Sequence, residues 1–129
     1  MEAIETERVE KGWGHELIMC NQPGYCGKSL VIEQGKQCSF HYHRLKDECF
    51  FVRAGHVLLF TSPKDCLGPD GGLDLSSPDL VTRVLSPGEC VRIPTGLRHR
   101  FRGMDFYNEL IEISTHHMDD DSIRIAKGD

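Results

Sequence analysis

Short β-prone runs, separated by glycine- and proline-containing turns, are the feature of this sequence that most restricts its fold. No long stretch repeats apolar residues with the 3.6-residue period of a helix, which leaves strands as the main regular structure. The runs lie at residues 27–33, 48–63, 80–94, 99–103 and 108–115. Strands at this spacing, with glycine at the hinges, predict an all-β sandwich or barrel.

One segment between these runs has a different composition. Residues 66–79, CLGPDGGLDLSSPD, are rich in Gly, Pro, Asp and Ser. This composition predicts a single long surface loop, which is either variable decoration or a lid over the mouth of a barrel. The chain has 129 residues, so we expect one domain over residues 1–129.

Charge and hydropathy exclude several classes of partner. The net charge of −5 is spread over the chain and leaves no basic surface typical of nucleic-acid binding. No apolar run approaches the roughly 18 residues that a bilayer crossing needs. The N-terminal residues 1–14 are acidic and polar, without the apolar core of a secretory signal. We therefore expect a cytoplasmic protein that binds neither nucleic acid nor membrane.

Six cysteines raise the question of a disulfide framework. They are spaced without a CxxC pair, at Cys20, Cys26, Cys38, Cys49, Cys66 and Cys90. In a reducing compartment such cysteines act mostly as small buried hydrophobic residues. None has the neighbours of an activated nucleophile, so we expect reduced structural thiols.

A set of histidines and one carboxylate has the composition of a metal site. His41 and His43 are two residues apart, so in a strand both imidazoles project from one face. Glu48 begins the next β-run, where a hairpin would return it to their side. His99 follows a Pro-x-Gly turn in a later segment. Three imidazoles and a carboxylate suit Mn, Fe, Co or Ni with positions open for substrate, and zinc is also compatible.

These residues resemble the two motifs of the cupin superfamily. The first, G-x5-HxH-x4-E-x6-G, is matched at every fixed place between Gly35 and Gly55. The second, G-x5-PxG-x2-H, is matched between Gly88 and His99, and the motif's final asparagine is replaced by Gly103. The motif segments span residues 35–55 and 88–103. The resemblance implies a double-stranded β-helix, or jelly-roll barrel, with the metal inside it, and by analogy a homodimer.

A closer resemblance covers most of the chain. The segments KGWGHE (11–16), residues 25–52 and IEISTHHMDDDSIRI (111–125) are similar to the type II phosphomannose isomerase domain of bifunctional mannose-1-phosphate guanylyltransferase/phosphomannose isomerase. This resemblance implies a metal-dependent aldose–ketose isomerase acting on a sugar or sugar phosphate. His41 stands where that family commonly has glutamine, and Ser114 replaces the glutamine of its terminal motif.

Three further residues are candidates for the chemistry. Glu112 lies on the last predicted core strand. It is either a general base inside the barrel or a glutamate that faces solvent. Lys28 matches a lysine of the related domain and points into a polar cavity or lies at an exposed edge. Arg124 matches the arginine of the terminal motif, which the resemblance implies reaches the active site to bind substrate. The alternative for Arg124 is a surface arginine paired with the aspartates at 119–121.

Two other functions fit the same residues. A three-His, one-Glu site with open positions also suits a metal-dependent dioxygenase. A non-catalytic cupin that binds carbohydrate or a partner protein would keep the histidines without turnover.

The cluster THHMDDD at residues 115–121 holds many potential ligands but lies in one local stretch. We expect its aspartates to face solvent or to begin a short terminal helix. The remaining histidines lack the partner spacing of the main set and are predicted to be solvated or packing residues: His15, His56, His116 and His117.

Overall fold

Eleven strands form the regular structure of the computed structural model, which describes residues 1–129. They are Glu7–Lys11 (β1), Gly14–Gln22 (β2), Tyr25–Ile32 (β3), Phe40–His43 (β4), Glu48–Ala54 (β5), Val57–Ser62 (β6), Val81–Leu85 (β7), Cys90–Ile93 (β8), Arg98–Gly103 (β9), Glu109–Ser114 (β10) and Ser122–Ala126 (β11). A 3-10 turn at Asp119–Asp121 is the only helical element. No helix is long and apolar enough to cross a membrane.

The strands form two antiparallel sheets that enclose one interior. The six-stranded sheet has the order β1-β2-β3-β10-β5-β8, and the five-stranded sheet has the order β11-β4-β9-β6-β7. Neighbours such as β3 and β10 are far apart in sequence, as expected where a chain winds between two sheets. The prediction of an all-β jelly-roll barrel is confirmed.

Two of the predicted runs, 48–63 and 80–94, each pass from one sheet to the other at a glycine, Gly55 and Gly88 respectively. The run at 48–63 is two strands, β5 and β6, which lie in different sheets and meet at Gly55. Gly55 has a φ of +73°, and a Cβ there would lie 2.1 Å from the Tyr107 carbonyl oxygen. A side chain at this position would therefore clash as well as strain the backbone.

The predicted hairpin between the HxH segment and Glu48 is wrong. The segment containing His41 and His43 is β4 of the five-stranded sheet, whereas Glu48 begins β5 of the six-stranded sheet. The four residues between them cross from one sheet to the other, so Glu48 reaches the histidines across the interior. A sequence pattern of two β-runs with a short connection does not distinguish a hairpin from such a crossing.

Apolar side chains fill one part of the interior. Twelve buried residues form one continuous hydrophobic cluster. They are Trp13, Leu30, Ile32, Cys38, Phe50, Val52, Val57, Leu59, Leu85, Ile93, Phe101 and Leu110. Trp13 packs edge-on against Phe101, with ring centroids 5.2 Å apart. All six cysteines are free thiols.

Candidate metal centre and cavity

Three histidines converge inside the barrel. His41 and His43 on β4 face inward together, and His99 on β9 is the cross-strand partner of His41. One ligand atom from each of the three lies within 4.8 Å of the others. The alternation of side chains along β4 and its pairing with β9 thus bring together residues from both sequence motifs.

Backbone carbonyls orient two of these imidazoles. His41 Nδ1 lies 2.9 Å from the Ser39 carbonyl oxygen, and His99 Nδ1 lies 2.9 Å from the Leu97 carbonyl oxygen. A carbonyl only accepts, so each Nδ1 carries the proton and each Nε2 keeps its lone pair. This is the tautomer that allows each ring to bind a metal ion through Nε2.

Glu48 completes the set from the opposite sheet. Its Oε1 lies 3.0 Å from His99 Nε2 and 3.5 Å from His43 Nε2. Both carboxylate oxygens, together with His99 Nε2 and His43 Nδ1, are buried without a hydrogen-bond partner. Buried polar atoms are normally paired, so a cluster of unpaired ones needs an occupant. The four residues fit a divalent metal ion of the N/O-preferring class.

The ionisation states of these residues suit metal binding. Burial and the adjacent His99 hold the pKa of His41 well below its usual value. Burial also lowers the pKa of His43 to about 4, against the opposing influence of Glu48. Burial opposes ionisation of Glu48, but His99 and Lys46 outweigh it and lower the pKa of Glu48 to about 2. Near neutral pH His41 and His43 are therefore neutral imidazoles, and Glu48 is a carboxylate.

A buried lysine that sequence reasoning missed joins this centre to the rest of the cavity. The Lys46 ammonium lies 2.9 Å from Glu112 Oε2, 3.3 Å from Glu48 Oε2 and 3.1 Å from His117 Nδ1. Burial opposes its charge, but Glu112 and Glu48 outweigh that and raise the pKa of Lys46. His117 Nε2 in turn lies 2.9 Å from Asp119 Oδ1. His117 is therefore part of the cavity network and not simply a solvated or packing residue.

Asp121 corrects the expectation that the aspartate run faces solvent. Its carboxylate accepts hydrogen bonds from the backbone N–H groups of Leu45 and Lys46, at 2.7 and 3.1 Å. The same carboxylate lies 3.5 Å from His43 Nδ1. Asp121 thus holds the loop between β4 and β5 and supports a metal-ligating ring, while Asp119 and Asp120 are exposed. The three aspartates form a single 3-10 turn, which leads directly into β11, so the alternative of a short terminal helix holds only for this one turn.

A cavity of about 570 Å³ opens beside the histidines. The three remaining predicted site residues, Lys28, Glu112 and Arg124, all line it. Lys28 and Glu112 are buried cross-strand partners on β3 and β10, whereas Arg124 is exposed on β11 opposite His41. Arg124 makes no ion pair with the neighbouring aspartates.

Most of the cavity lining is polar or charged, and the apolar part is contributed by core residues. Ionisable lining residues outside the metal set include Glu10, Lys11, Glu16, Lys28, Lys46, Glu112, His117, Asp119, Arg124, Lys127 and Asp129. Apolar lining residues include Trp13, Leu30, Phe50 and Phe101. This mixture suits a small, highly polar ligand.

Comparisons with known proteins agree with this fold. No protein-family model matches the chain. The chain is 26% identical over 110 residues to an oxalate decarboxylase from Arthroderma benhamiae, a match that covers 83% of this chain and 23% of that protein. The chain thus spans about a quarter of the length of this curated relative.

Solved structures give the same architecture at low identity. The capsular polysaccharide assembling protein CapF from Staphylococcus aureus superposes with a TM-score of 0.75 and 15% identity, over 95% of this chain and 32% of that one. KdgF from Halomonas sp. superposes with a TM-score of 0.67 and 16% identity, over 91% of this chain and 90% of that one. Together with oxalate decarboxylase structures, these similarities identify the fold as the cupin double-stranded β-helix.

Proposed function

We propose that this chain is a metal-dependent cupin enzyme that isomerises a small sugar or sugar phosphate between its aldose and ketose forms. The observation that supports this most directly is the position of Glu112. It is a buried carboxylate in the same cavity as the three-His, one-Glu centre, and a single ammonium group bridges it to that centre.

Residues His41, His43, Glu48 and His99 would hold the metal. A divalent ion there would polarise the carbonyl and neighbouring hydroxyl of the substrate and stabilise negative charge that develops on them. The four side chains occupy fixed positions because two sheets supply them, which favours preorganised stabilisation of that charge.

Glu112 is the proposed base. Its Oε2 is held by two donors, Lys46 Nζ at 2.9 Å and the Ser114 hydroxyl at 3.0 Å. Oε1 accepts neither of these bonds. We assign Oε1 to take the proton from the carbon beside the carbonyl and to return it to the adjacent carbon. Such a positioned base contributes roughly 10²–10⁴-fold to a rate.

Two cations on different walls are available to hold the substrate. Arg124 lies beside His41 at the rim, where its planar guanidinium can bind a carboxylate, phosphate or diol. Lys28 lies on the opposite sheet beside Glu112. The sugar class is further supported by the likeness to CapF, a capsular polysaccharide assembling protein.

The test is turnover without oxygen. The purified protein is loaded separately with Mn, Fe, Co, Ni or Zn and incubated anaerobically with aldoses and their terminal phosphates, and ketose is followed by NMR. We expect ketose to form without oxygen. Consumption of O₂ with the substrate would instead indicate the dioxygenase. Saturable binding without turnover under every metal would indicate a binding protein.

A matched pair of variants tests the role of Glu112. Glu112→Gln is expected to lower kcat by about 100-fold or more while leaving metal content unchanged. Glu109 lies on the same strand but bonds to Ser29 and Arg53 and does not line the cavity. Glu109→Gln is expected to keep kcat within about threefold. Equal losses in both variants would contradict the assignment.

A further inference from the structure

One charged group in the cavity lacks a hydrogen-bond partner. The side chain of Lys28 is 3% exposed, and its ammonium group faces the cavity. The closest carboxylate oxygen, Glu16 Oε1, is 3.6 Å away, beyond normal hydrogen-bond distance. An ammonium has three N–H donors, and here they are free to donate to a molecule in the cavity. The group is therefore placed for a ligand.

Glu16 supplies acceptors beside this donor. It lies on β2, its side chain is 13% exposed, and it lines the same cavity. Its Oε1 is also 3.9 Å from the more exposed Lys11 ammonium. An ammonium and a carboxylate 3.6 Å apart can together give and accept hydrogen bonds, which is what a hydroxyl group, both donor and acceptor, requires.

The two carboxylates beside Lys28, those of Glu16 and Glu112, disfavour an anion at this place. The charged side chains that line this wall alternate between carboxylate and ammonium: Glu16, Lys28, Glu112, Lys46 and Glu48. A phosphate or carboxylate at Lys28 would lie near Glu16 and near Glu112 on the next strand, so like-charge repulsion would oppose the attraction of one ammonium.

The register of the sheet places Lys28 two strands away from the strand that carries Glu48. Lys28 lies opposite Glu112, and Glu112 lies opposite Phe50 on β5, the strand that carries Glu48. Two strand spacings separate β3 from β5, which is about 10 Å. A hexose-sized molecule bound at the metal centre would pass over Glu112 and reach Lys28 with its other end.

We propose that Lys28 and Glu16 form a hydroxyl-binding subsite for the unphosphorylated end of the sugar. This inference rests on the proposed function, because it takes the reacting carbons to lie at the metal centre. It narrows the substrate class to sugars whose distal carbons carry free hydroxyl groups. It also makes Lys28 a substrate-binding residue.

Hydroxamates test the subsite by binding alone. Acetohydroxamate offers only a metal-chelating head, arabinonohydroxamate adds a hydroxyl tail, and its 5-phosphate adds charge to the end of that tail. Affinities for the zinc-loaded protein are measured by calorimetry. We expect the neutral tail to improve affinity over acetohydroxamate by about 10-fold to 100-fold, as hydrogen bonds to charged groups do.

Three variants separate the possible outcomes. Lys28→Met is expected to abolish the gain from the tail while leaving acetohydroxamate affinity unchanged, which also shows that the variant is folded and loaded. Glu16→Gln is expected to weaken the neutral tail and to strengthen the phosphorylated one. Lys127→Met removes the same charge from the cavity lining without an ion pair to Glu16, and is expected to preserve the tail gain within about twofold.

The proposal is overturned by any of three results. One is a neutral tail that adds no affinity to the wild-type protein. Another is a phosphorylated tail that binds more tightly than the neutral one and loses that advantage in Lys28→Met. The third is a Glu16→Gln variant that binds the neutral tail as well as the wild type does. Turnover of an aldose would stand in each case, so these failures are distinct from failure of the isomerase proposal.

Discussion

The two halves of the barrel interior are built from the same strands but from opposite kinds of side chain. Along four strands the inward-facing residues change from apolar to ionisable between one inward position and the next. The changes run from Leu30 to Lys28 on β3, from Phe50 to Glu48 on β5, from Phe101 to His99 on β9 and from Leu110 to Glu112 on β10.

This division separates two tasks within one fold. The apolar half buries hydrocarbon surface, which is the main favourable contribution to folding. The ionisable half places charged side chains around an open cavity. Burying charged groups in this way contributes little to stability. Mutations in the apolar half should therefore change mainly the free energy of unfolding. Mutations in the ionisable half should change mainly the affinity for metal and other ligands.

The largest expected effect tests the apolar half. Leu110 is 1% exposed, so Leu110→Ala should lower the free energy of unfolding of the metal-free protein by about 2–5 kcal/mol, through lost burial and the cavity that remains. Leu75 is 71% exposed, and Leu75→Ala should change it by less than about 0.5 kcal/mol. Urea denaturation measures both. Similar values would show that this half is not the stabilising one.

A ligand substitution tests the other half. Structural zinc sites contribute about 10–16 kcal/mol over four ligands, so His99→Gln should weaken zinc binding by at least about 100-fold. His99 donates one hydrogen bond to the Leu97 carbonyl, so the metal-free variant should lose only about 1 kcal/mol of unfolding free energy. Competition with a chromophoric chelator gives the affinity. A loss of stability as large as that of Leu110→Ala would remove the distinction between the halves.

The pH dependence of the metal-free protein should come from the ionisable half. The pKa of His43 is lowered to about 4, from about 6.5 in an unfolded chain. Below pH 6.5 the unfolded state therefore binds more protons than the folded one, and stability falls as the pH falls. His43 alone should contribute a loss of about 2 kcal/mol between pH 7 and pH 5, and His41 should add to it.

Two histidine variants test which group causes this pH dependence of stability. Urea denaturation at each pH should show a flatter pH dependence of stability in His43→Gln, because the imidazole that takes up a proton on unfolding is absent. The exposed His116 provides a comparison, and His116→Gln should keep most of the slope. A slope unchanged in His43→Gln would assign the pH dependence to other groups.

A smaller effect on metal affinity is expected from the support of His43. Asp121→Asn removes a charge 3.5 Å from His43 Nδ1 and should weaken zinc binding by about 10-fold to 100-fold. Asp120→Asn makes the same change at the adjacent exposed residue and should have no measurable effect. Chelator competition distinguishes the two. Equal effects would mean that general charge, and not the contact with His43, determines affinity.

The sequence was sufficient to predict residues that lie at fixed intervals within a motif. The two motifs identify His41, His43, Glu48 and His99 because fixed intervals along strands translate into one facing set. The β-runs gave the class of fold for the same reason. Charged residues obscure the alternation in β1 and β2, which were not predicted as strands.

Residues that act through tertiary contacts could not be found in this way. Lys46 lies within the variable interval of the first motif, and only the packing of β10 beside that loop brings Glu112 to it. Asp121 is one of three consecutive aspartates, and nothing local distinguishes the buried one from its neighbours. The crossing of the chain between sheets, and with it the direction from which Glu48 approaches, also depends on long-range pairing.

The supply of ligands from both sheets has a mechanical consequence. Three of the four candidate ligands lie in the five-stranded sheet and the fourth in the six-stranded sheet, so a bound ion would fasten the two layers together. Ion binding would then oppose any separation of the layers by its full binding free energy. Amide exchange that depends on such an opening should slow on β5 and β9 alike when the ion is added. Protection in one sheet would then depend on a ligand supplied by the other.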